Sequence, residues 1–463
     1  MYKKLNLKYK SILLILTILL FNSSCEELIE VDLPSDQIHS SKIFEDINLA
    51  KSALSGIYTN FRNSSFFNGY SSGAGTILSL YTDELTALAD LNSPLDEPKF
   101  YNNEILSSNI SIANLWDTSY KHIYSINSFI EGLTNSTKLD SDQKKILLSE
   151  AIFIRSIYYQ YLTSLFGDIP YITTTNYKTN TSIGKTTHLE VLDRIETDLK
   201  YSLDNIPDSY RNVNRFYPNK ACVQLVLAKN YILKKQDNLA EQQLIKILNS
   251  SQYSIESNLN RTFKKDAKST LWQLDSNSPD ARTLEAANYI FQMLPPPLYT
   301  LNPSLLNNFS TDDLRRQNWI KDVSKDDQTW SHSYKYKNNT TNPDEYSIVF
   351  RLEEVYQLYI ETCINTNKLD IAIEYINHLK QRANITPLPL SLNKQQTLKE
   401  YLNESQREFF TEHGNRFFTL KRNGQLSILK DIKKNWRDKH SLFPIPEKEL
   451  LINTKLLPQN NGY

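Results

Sequence analysis

The sequence predicts a mainly α-helical protein, a scaffold of paired helices carrying an irregular, loop-rich half with few short strands. Three observations lead there. Apolar residues recur at three- and four-residue steps through several long segments. Two stretches share one layout: a helix, a short polar turn and a second helix. Between them, roughly residues 255–345 hold no sustained period and contain the run Pro295-Pro296-Pro297.

A first helix is expected over 43–61, where Phe44, Ala50, Leu54, Ile57, Tyr58 and Phe61 fall near helical spacing. Residues 62–76 are rich in Asn, Ser and Gly and read as a loop. Its aromatics Phe66, Phe67 and Tyr70 have no helical stripe to join, which makes them candidates for exposure. Further helices are expected at 78–88 and 113–133. The clearest runs from 146 to 165, with Leu147, Ala151, Ile154, Tyr158, Tyr161, Leu162 and Leu165 on one stripe. Gly167 can close it in a left-handed cap, and Pro170 prevents continuation.

The first helical pair spans 220–234 and 239–248. The second places Val355, Leu358, Tyr359, Thr362 and Cys363 on one face, then Leu369, Ala372, Ile373, Ile376 and Leu379 on the next. Each pair is close in size to a tetratricopeptide unit of about 34 residues, though that unit's usual Trp and Pro markers are missing. Within the irregular half, 271–274 and 330–337 are the strand candidates.

The 463 residues suffice for one large core or for two to three domains. Hydrophobic residues make up 40% and charged residues 22%, as in an ordinary globular chain. Basic and acidic residues balance at 52 each, but four lysines (Lys3, Lys4, Lys8, Lys10) and no acids lie in the first 24 residues. The remainder is mildly acidic, which argues against nucleic acid as a partner, because phosphate binding needs a basic face.

Those lysines precede an apolar run from Ile12 to Phe21, too short to cross a bilayer and right for a signal peptide. Asn22-Ser23-Ser24-Cys25 then looks like a bacterial lipobox, in which the thiol receives diacylglycerol, the peptide is cut before the cysteine and the new amine is acylated. Position −3 is Asn22, where such boxes usually carry Leu. Simple cleavage leaving Cys25 free is the alternative. The division expected is 1–24 signal peptide, 25–40 lipidated tether and 41–463 a single domain. Glu26-Glu27 resembles the surface-export signal of Bacteroidetes lipoproteins. Cys222 and Cys363 fall in helical patterns; buried free thiols are the default, with a disulfide open outside the cytoplasm.

Positive signs of catalysis are missing. The seven histidines (39, 122, 188, 332, 378, 413, 440) show no zinc-type spacing, and no phosphate loop or Gly-x-Ser-x-Gly elbow occurs. The carboxylate pairs Asp83-Glu84 and Glu353-Glu354 are adjacent in sequence, whereas a glycosidase needs two carboxylates facing across a cleft. No catalytic residue, metal ligand or cofactor site is therefore expected.

Four segments together resemble the SusD/RagB family of Bacteroidetes outer-membrane lipoproteins. They are Cys25 to Ser35; Glu150-Ala151-Ile152-Phe153-Ile154-Arg155 running to Leu165-Phe166-Gly167-Asp168-Ile169-Pro170; Phe350-Arg351-Leu352-Glu353-Glu354-Val355-Tyr356 with its hairpin through Arg382; and Arg407-Glu408-Phe409 through Gly414-Asn415-Arg416-Phe417-Phe418 and Phe443-Pro444-Ile445-Pro446 to Asn461-Gly462-Tyr463. Thr419 stands where Asp is common, and Asn453-Thr454 where Asn-Pro is common. The resemblance implies a tetratricopeptide-like scaffold. It also implies a lipid-anchored protein of the outer membrane, facing outward, beside a SusC-type TonB-dependent β-barrel. The resemblance further implies that ligand is captured and passed inward.

In such proteins ligand contact resides in loop aromatics. The candidates here are Phe66, Phe67, Tyr70, Tyr101, Tyr289, Phe291, Trp319 and Trp330, because sugar faces stack on flat apolar rings beside hydrogen-bonding tips. Glu150, Arg155, Arg351, Arg407 and Arg416 read instead as scaffold ion pairs and caps. Glycan import is the leading expectation. Oligopeptide import by the same machine, an all-helical glycoside hydrolase and a purely scaffolding repeat protein are the alternatives.

Overall fold

The computed structural model describes residues 40–463, apart from Asn277 and Pro279. The expected signal peptide, Cys25 and nearly all of the tether lie outside the described residues. No helix among the described residues is long and apolar enough to cross a membrane.

The first half is helical. It comprises α1 (Ile47–Ser64), α2 (Ala74–Tyr81), α3 (Ile110–Asn135), α4 (Ser141–Phe166) and α5 (His188–Asn205). The first pair follows as α6 (Lys220–Leu233) and α7 (Asp237–Leu248). After the irregular segment, with its short α8 (Leu284–Tyr289), comes the second pair, α9 (Leu352–Asn365) and α10 (Leu369–Arg382). The chain closes with α11 (Lys394–Phe409), α12 (Asn415–Arg422) and short helical turns. Caps fix the starts: Asp46, Asn109, Asp140, Thr187, Asn219 and Asn393 each accept backbone N–H groups with their side chains. Successive helices pack as neighbours, α3 and α5 on α4, α7 on α9, and α9 on α10.

The two pairs share a turn conformation. Lys235, two residues past α6, has φ 59°, and Asn367, two residues past α9, has φ 62°. The layout inferred from spacing is thus matched in backbone geometry. The expected start of α1 shifts from 43 to 47, where Asp46 caps it. The helix expected at 78–88 is corrected more heavily: it ends at Tyr81, and Leu85–Ala87 is a strand. The long helix α5 goes unassigned above, although Val191, Ile195 and Leu199 step by four behind the capping Thr187 and are fully buried.

Strands are few and short, in three two-stranded antiparallel sheets among the described residues. β1 (Leu85–Ala87) pairs with β3 (Tyr299–Leu301), and β2 (Thr270–Leu274) with β6 (Ser347–Arg351). β4 (Ile320–Lys325) and β5 (Gln328–Ser333) form a hairpin with Val323 opposite Trp330 and Lys321 opposite His332. The strand candidate at 330–337 begins earlier and ends at 333.

Trp272 on β2 joins the two halves. Its ring lies 5.2 Å from Phe61 of α1, 5.8 Å from Phe153 of α4 and 5.6 Å from Phe350 of β6, and its indole N–H donates to the Phe216 carbonyl at 3.0 Å. A buried aromatic removes its whole apolar face from water and meets its one polar atom with a partner. Cys222 and Cys363 are buried free thiols, not joined in a disulfide.

Candidate functional site

Of the eight candidate aromatics, four are core residues. Phe66 and Phe67 leave the Asn/Ser/Gly-rich loop inward, with ring centroids 5.1 and 4.8 Å from Tyr161. Trp319 is fully buried, its N–H donating to the Leu259 carbonyl at 3.0 Å. Tyr289 is buried, with its hydroxyl 2.9 Å from that of Thr76. These four expectations are corrected. A loop with no helical period still buries its large apolar side chains when the core lies beside it, because the driving force follows apolar area and not secondary structure. Tyr101 is half-buried, and the Lys433 ammonium covers its ring at 3.9 Å.

The remaining three reach the surface, and two of them share a platform. Side chains alternate across a strand, so Trp330 and His332 point to one face of the β4–β5 hairpin. On that face the Phe291 ring stands 4.7 Å from His332, edge to face. Lys325, on the same face, donates to the Leu294 carbonyl at 3.1 Å and ties the hairpin to the segment that carries Phe291. Met293, 62% exposed, extends the apolar surface. Tyr70, 46% exposed, sits on the adjoining loop. Thr76 connects them, donating to the Tyr70 carbonyl at 3.3 Å while meeting the hydroxyl of Tyr289, two residues before Phe291. That loop is pressed on α8: a Cβ at Gly69 would fall 2.5 Å from Glu285.

Polar tips border this shelf. Asn339 accepts from Gln292 at 3.0 Å and from Arg282 at 3.1 Å through its side-chain oxygen. Lys321 and Lys337 lie over the Tyr334 ring at 5.2 and 5.4 Å. Flat rings beside an amide, a guanidinium and ammonium groups stack against C–H faces and hydrogen-bond hydroxyls. Sequence reasoning reached Phe291 and Trp330 by residue type. It missed Gln292, Arg282 and Asn339, which carry no motif and converge only through the fold.

The conspicuous charges serve the scaffold. Arg416 holds Asp83 with two hydrogen bonds, 2.9 and 2.7 Å; Arg155 holds Asp198 at 2.7 Å; Arg407 holds Glu404 at 2.7 Å. Glu150 accepts from Tyr58 at 2.5 Å and pairs with Arg211 at 3.1 Å. The adjacent acids turn away from each other. Glu353 pairs with Arg382 and Glu354 with Lys229; Glu84 leaves Asp83 to Arg416 and takes the Ser79 hydroxyl at 2.5 Å. No group of three or more His, Cys, Asp or Glu side chains that could hold a metal ion occurs among the described residues.

Two family models match this chain. One, described as starch-binding associating with outer membrane, covers residues 76–232; the other, described as the SusD family, covers 196–463, more than half of the sequence. The chain belongs to the SusD family. A SusD-like protein of Formosa agariphila is 22% identical across 99% of this chain and 100% of its own length. The fold matches that of a SusD superfamily protein from Bacteroides vulgatus with a TM-score of 0.77, at 20% identity over 91% of this chain and all of that one. Surface glycan-binding protein A from Bacteroides thetaiotaomicron, solved in complex with laminarihexaose, superposes with a TM-score of 0.74 at 17% identity, covering 89% of this chain and 99% of that one. The SusD fold accounts for the helical pairs, the loop-rich half and the scarcity of strands.

Proposed function

We propose that this SusD-family protein is a surface glycan-binding lipoprotein of the outer membrane. Acyl chains on Cys25 anchor it, with the folded domain facing the cell exterior. It captures oligosaccharide and hands it to a SusC-type TonB-dependent β-barrel transporter. The observation that carries the ligand class is the shelf: Phe291 and Trp330 on one face, bordered by Gln292, Arg282 and Asn339. Rings supply the stacking surface and the polar tips supply direction. Support comes from the description of the matched family as starch-binding, and from the laminarihexaose complex of a protein with the same fold.

The experiment is a glycan and peptide array read with wild-type protein and with Phe291→Ala and Trp330→Ala. Loss of roughly tenfold or more in affinity for one glycan class in each variant is expected, since a stacked ring contributes on the order of 1–3 kcal/mol. Binding to oligopeptides alone, or glycan binding indifferent to both variants, overturns the reading. Cleavage of the bound glycan would make the protein an enzyme. Anchoring is tested by palmitate labelling of wild-type and Cys25→Ala protein in cells, and partnership by co-purification of a large β-barrel from outer membranes.

A further inference from the structure

Away from the shelf, a cavity of about 540 Å³ opens into the helical scaffold. Its walls come from α4, α6, α12, the end of β6 and the C-terminal segment. Such a volume is in the range of small-molecule sites, roughly 300–1,000 Å³. Tyr161 and Phe418, half-buried with centroids 5.2 Å apart, form an aromatic side, and Leu233 and Leu442 complete the apolar lining.

The polar lining has a definite donor and acceptor pattern. The Thr163 hydroxyl gives its proton to the Gly167 carbonyl at 2.8 Å, so its oxygen accepts from Nδ1–H of His188 at 2.7 Å. That assignment leaves Nε2 of His188 as a bare lone pair. His413 points Nε2 at the Ile348 carbonyl, 2.9 Å away, which requires a proton there and leaves Nδ1 as a lone pair. Burial lowers the pKa of both rings and keeps them neutral; the nearby Lys421 ammonium adds to this at His188. Asp168 uses one oxygen to accept from the His188 backbone N–H at 2.8 Å and keeps the other. Asn460 spends both amide protons on the Phe166 and Phe443 carbonyls, 2.8 and 2.7 Å, and keeps its oxygen. Lys421 caps carbonyls of Ser164 and Ser441 at 2.7 Å each, leaving one proton without an acceptor among the described residues.

The cavity therefore offers four acceptors and the remaining Lys421 proton, and its wall also carries the paired charges Lys229–Glu354, Arg351–Glu412 and Arg422–Glu361 and the Lys235 ammonium, which donates to the Arg422 carbonyl. An anion meets the Asp168 carboxylate and the lone pairs of His188, His413 and Asn460. A cation meets the Lys421 and Lys235 ammonium groups. A plain hydrocarbon leaves every one of these groups unpaired, at a cost for each. The complement is a neutral molecule that both gives and accepts several hydrogen bonds and has an apolar face for the rings. We propose that this cavity is a second ligand site of the protein, taking a small polyol of monosaccharide to disaccharide size, separate from the surface shelf and independent of what the shelf binds.

The test is saturation-transfer NMR and calorimetric titration of the full chain with glucose, galactose, mannose, xylose and maltose. Four proteins are compared: wild type, Leu233→Trp to fill the cavity, His188→Phe to remove an acceptor, and Trp330→Ala to strip the shelf. Binding of at least one of these sugars is expected. Affinity should fall roughly tenfold or more in the two cavity variants and hold within about twofold in Trp330→Ala. His188 and Leu233 are both only partly buried at the cavity wall, so both replacements should keep the fold, and melting curves verify this. Absence of binding to every sugar overturns the proposal. So does binding that Trp330→Ala abolishes while both cavity variants retain it.

Discussion

Glu408 of α11 accepts from Arg382 at 2.6 Å through both oxygens and from Arg351 at 2.7 Å, with all three side chains buried. Arg315 adds a third guanidinium at 3.2 Å, and these arginines hold the carboxyl well below the usual carboxylate range against the cost of burial. The network ties β6, α9, α10 and α11 together where the second helical pair meets the irregular half. Removing one partner leaves a buried charge uncompensated. Arg351→Met should therefore destabilise the protein by about 3–5 kcal/mol in urea titrations. Arg194→Ala breaks an exposed pair with Glu190 and should cost about 0–1 kcal/mol. Equal effects from the two would contradict this.

Glu84 is pushed up to about 7 by burial, with Asp83 beside it adding to the rise against the Ser79 hydrogen bond. Its folded pKa lies above the ordinary glutamate value of about 4.5, so the native state binds the proton more tightly than the unfolded chain. The stability this supplies is complete below about 4.5 and is lost as pH rises through about 7. Glu84→Gln removes the titration. Between pH 5 and pH 8 the variant should lose less stability than wild type, read as a flatter slope of unfolding free energy against pH.

Both cysteines are shielded thiols. Burial pushes Cys222 up to about 12 and Cys363 up to about 11, with Glu241 adding to the rise at Cys363. Thiolate is the reactive form, so neither should react with Ellman's reagent in native buffer over minutes, and both should react once urea unfolds the chain. Fast native labelling would place a thiol at the surface.

Lys235 carries a left-handed φ of 59° at the turn between α6 and α7. Asparagine fills the matching position, Asn367, in the second pair. A side chain with a Cβ pays about 1–2 kcal/mol there, and glycine does not. Lys235→Gly should raise stability by about 0.5–1 kcal/mol once the entropy of glycine and the lost bond to the Arg422 carbonyl are subtracted. Thermal melts would register this as a rise of a few degrees.

The helical pairs are legible in the sequence because each exposes one face and buries the other, which prints a period on the chain. α5 prints the same period at Val191, Ile195 and Leu199 and was readable by that rule. α2 is not: every residue from Ala74 to Tyr81 is buried, and a helix apolar all round carries no stripe. That is why its end at Tyr81 and the strand after it escape a periodicity argument. The shelf is half legible. Residue type finds Phe291 and Trp330, but nothing in the sequence distinguishes them from Phe66, Phe67, Tyr289 and Trp319, which share their composition of surroundings and differ only in which side of the chain faces the core. The cavity is least legible, since Asp168 and His188 lie more than two hundred residues before Lys421 and Asn460 and the two segments meet through packing alone.

Trp319 and Trp330 make that distinction measurable. They flank one hairpin, Trp319 immediately before β4 and Trp330 within β5. Trp319 is fully buried, 5.5 Å from Phe263, with its N–H paired. Trp330 is half-exposed on the shelf face. Trp319→Ala opens a cavity the size of an indole and removes one of two hydrogen bonds to the Leu259 carbonyl, so it should cost about 3–5 kcal/mol of stability. Trp330→Ala gives up partial burial alone and should cost about 1 kcal/mol or less, while removing a stacking face from the shelf. Paired urea titrations and ligand-binding curves separate the two. A Trp330→Ala variant as unstable as Trp319→Ala would make Trp330 a core residue and withdraw it from the shelf.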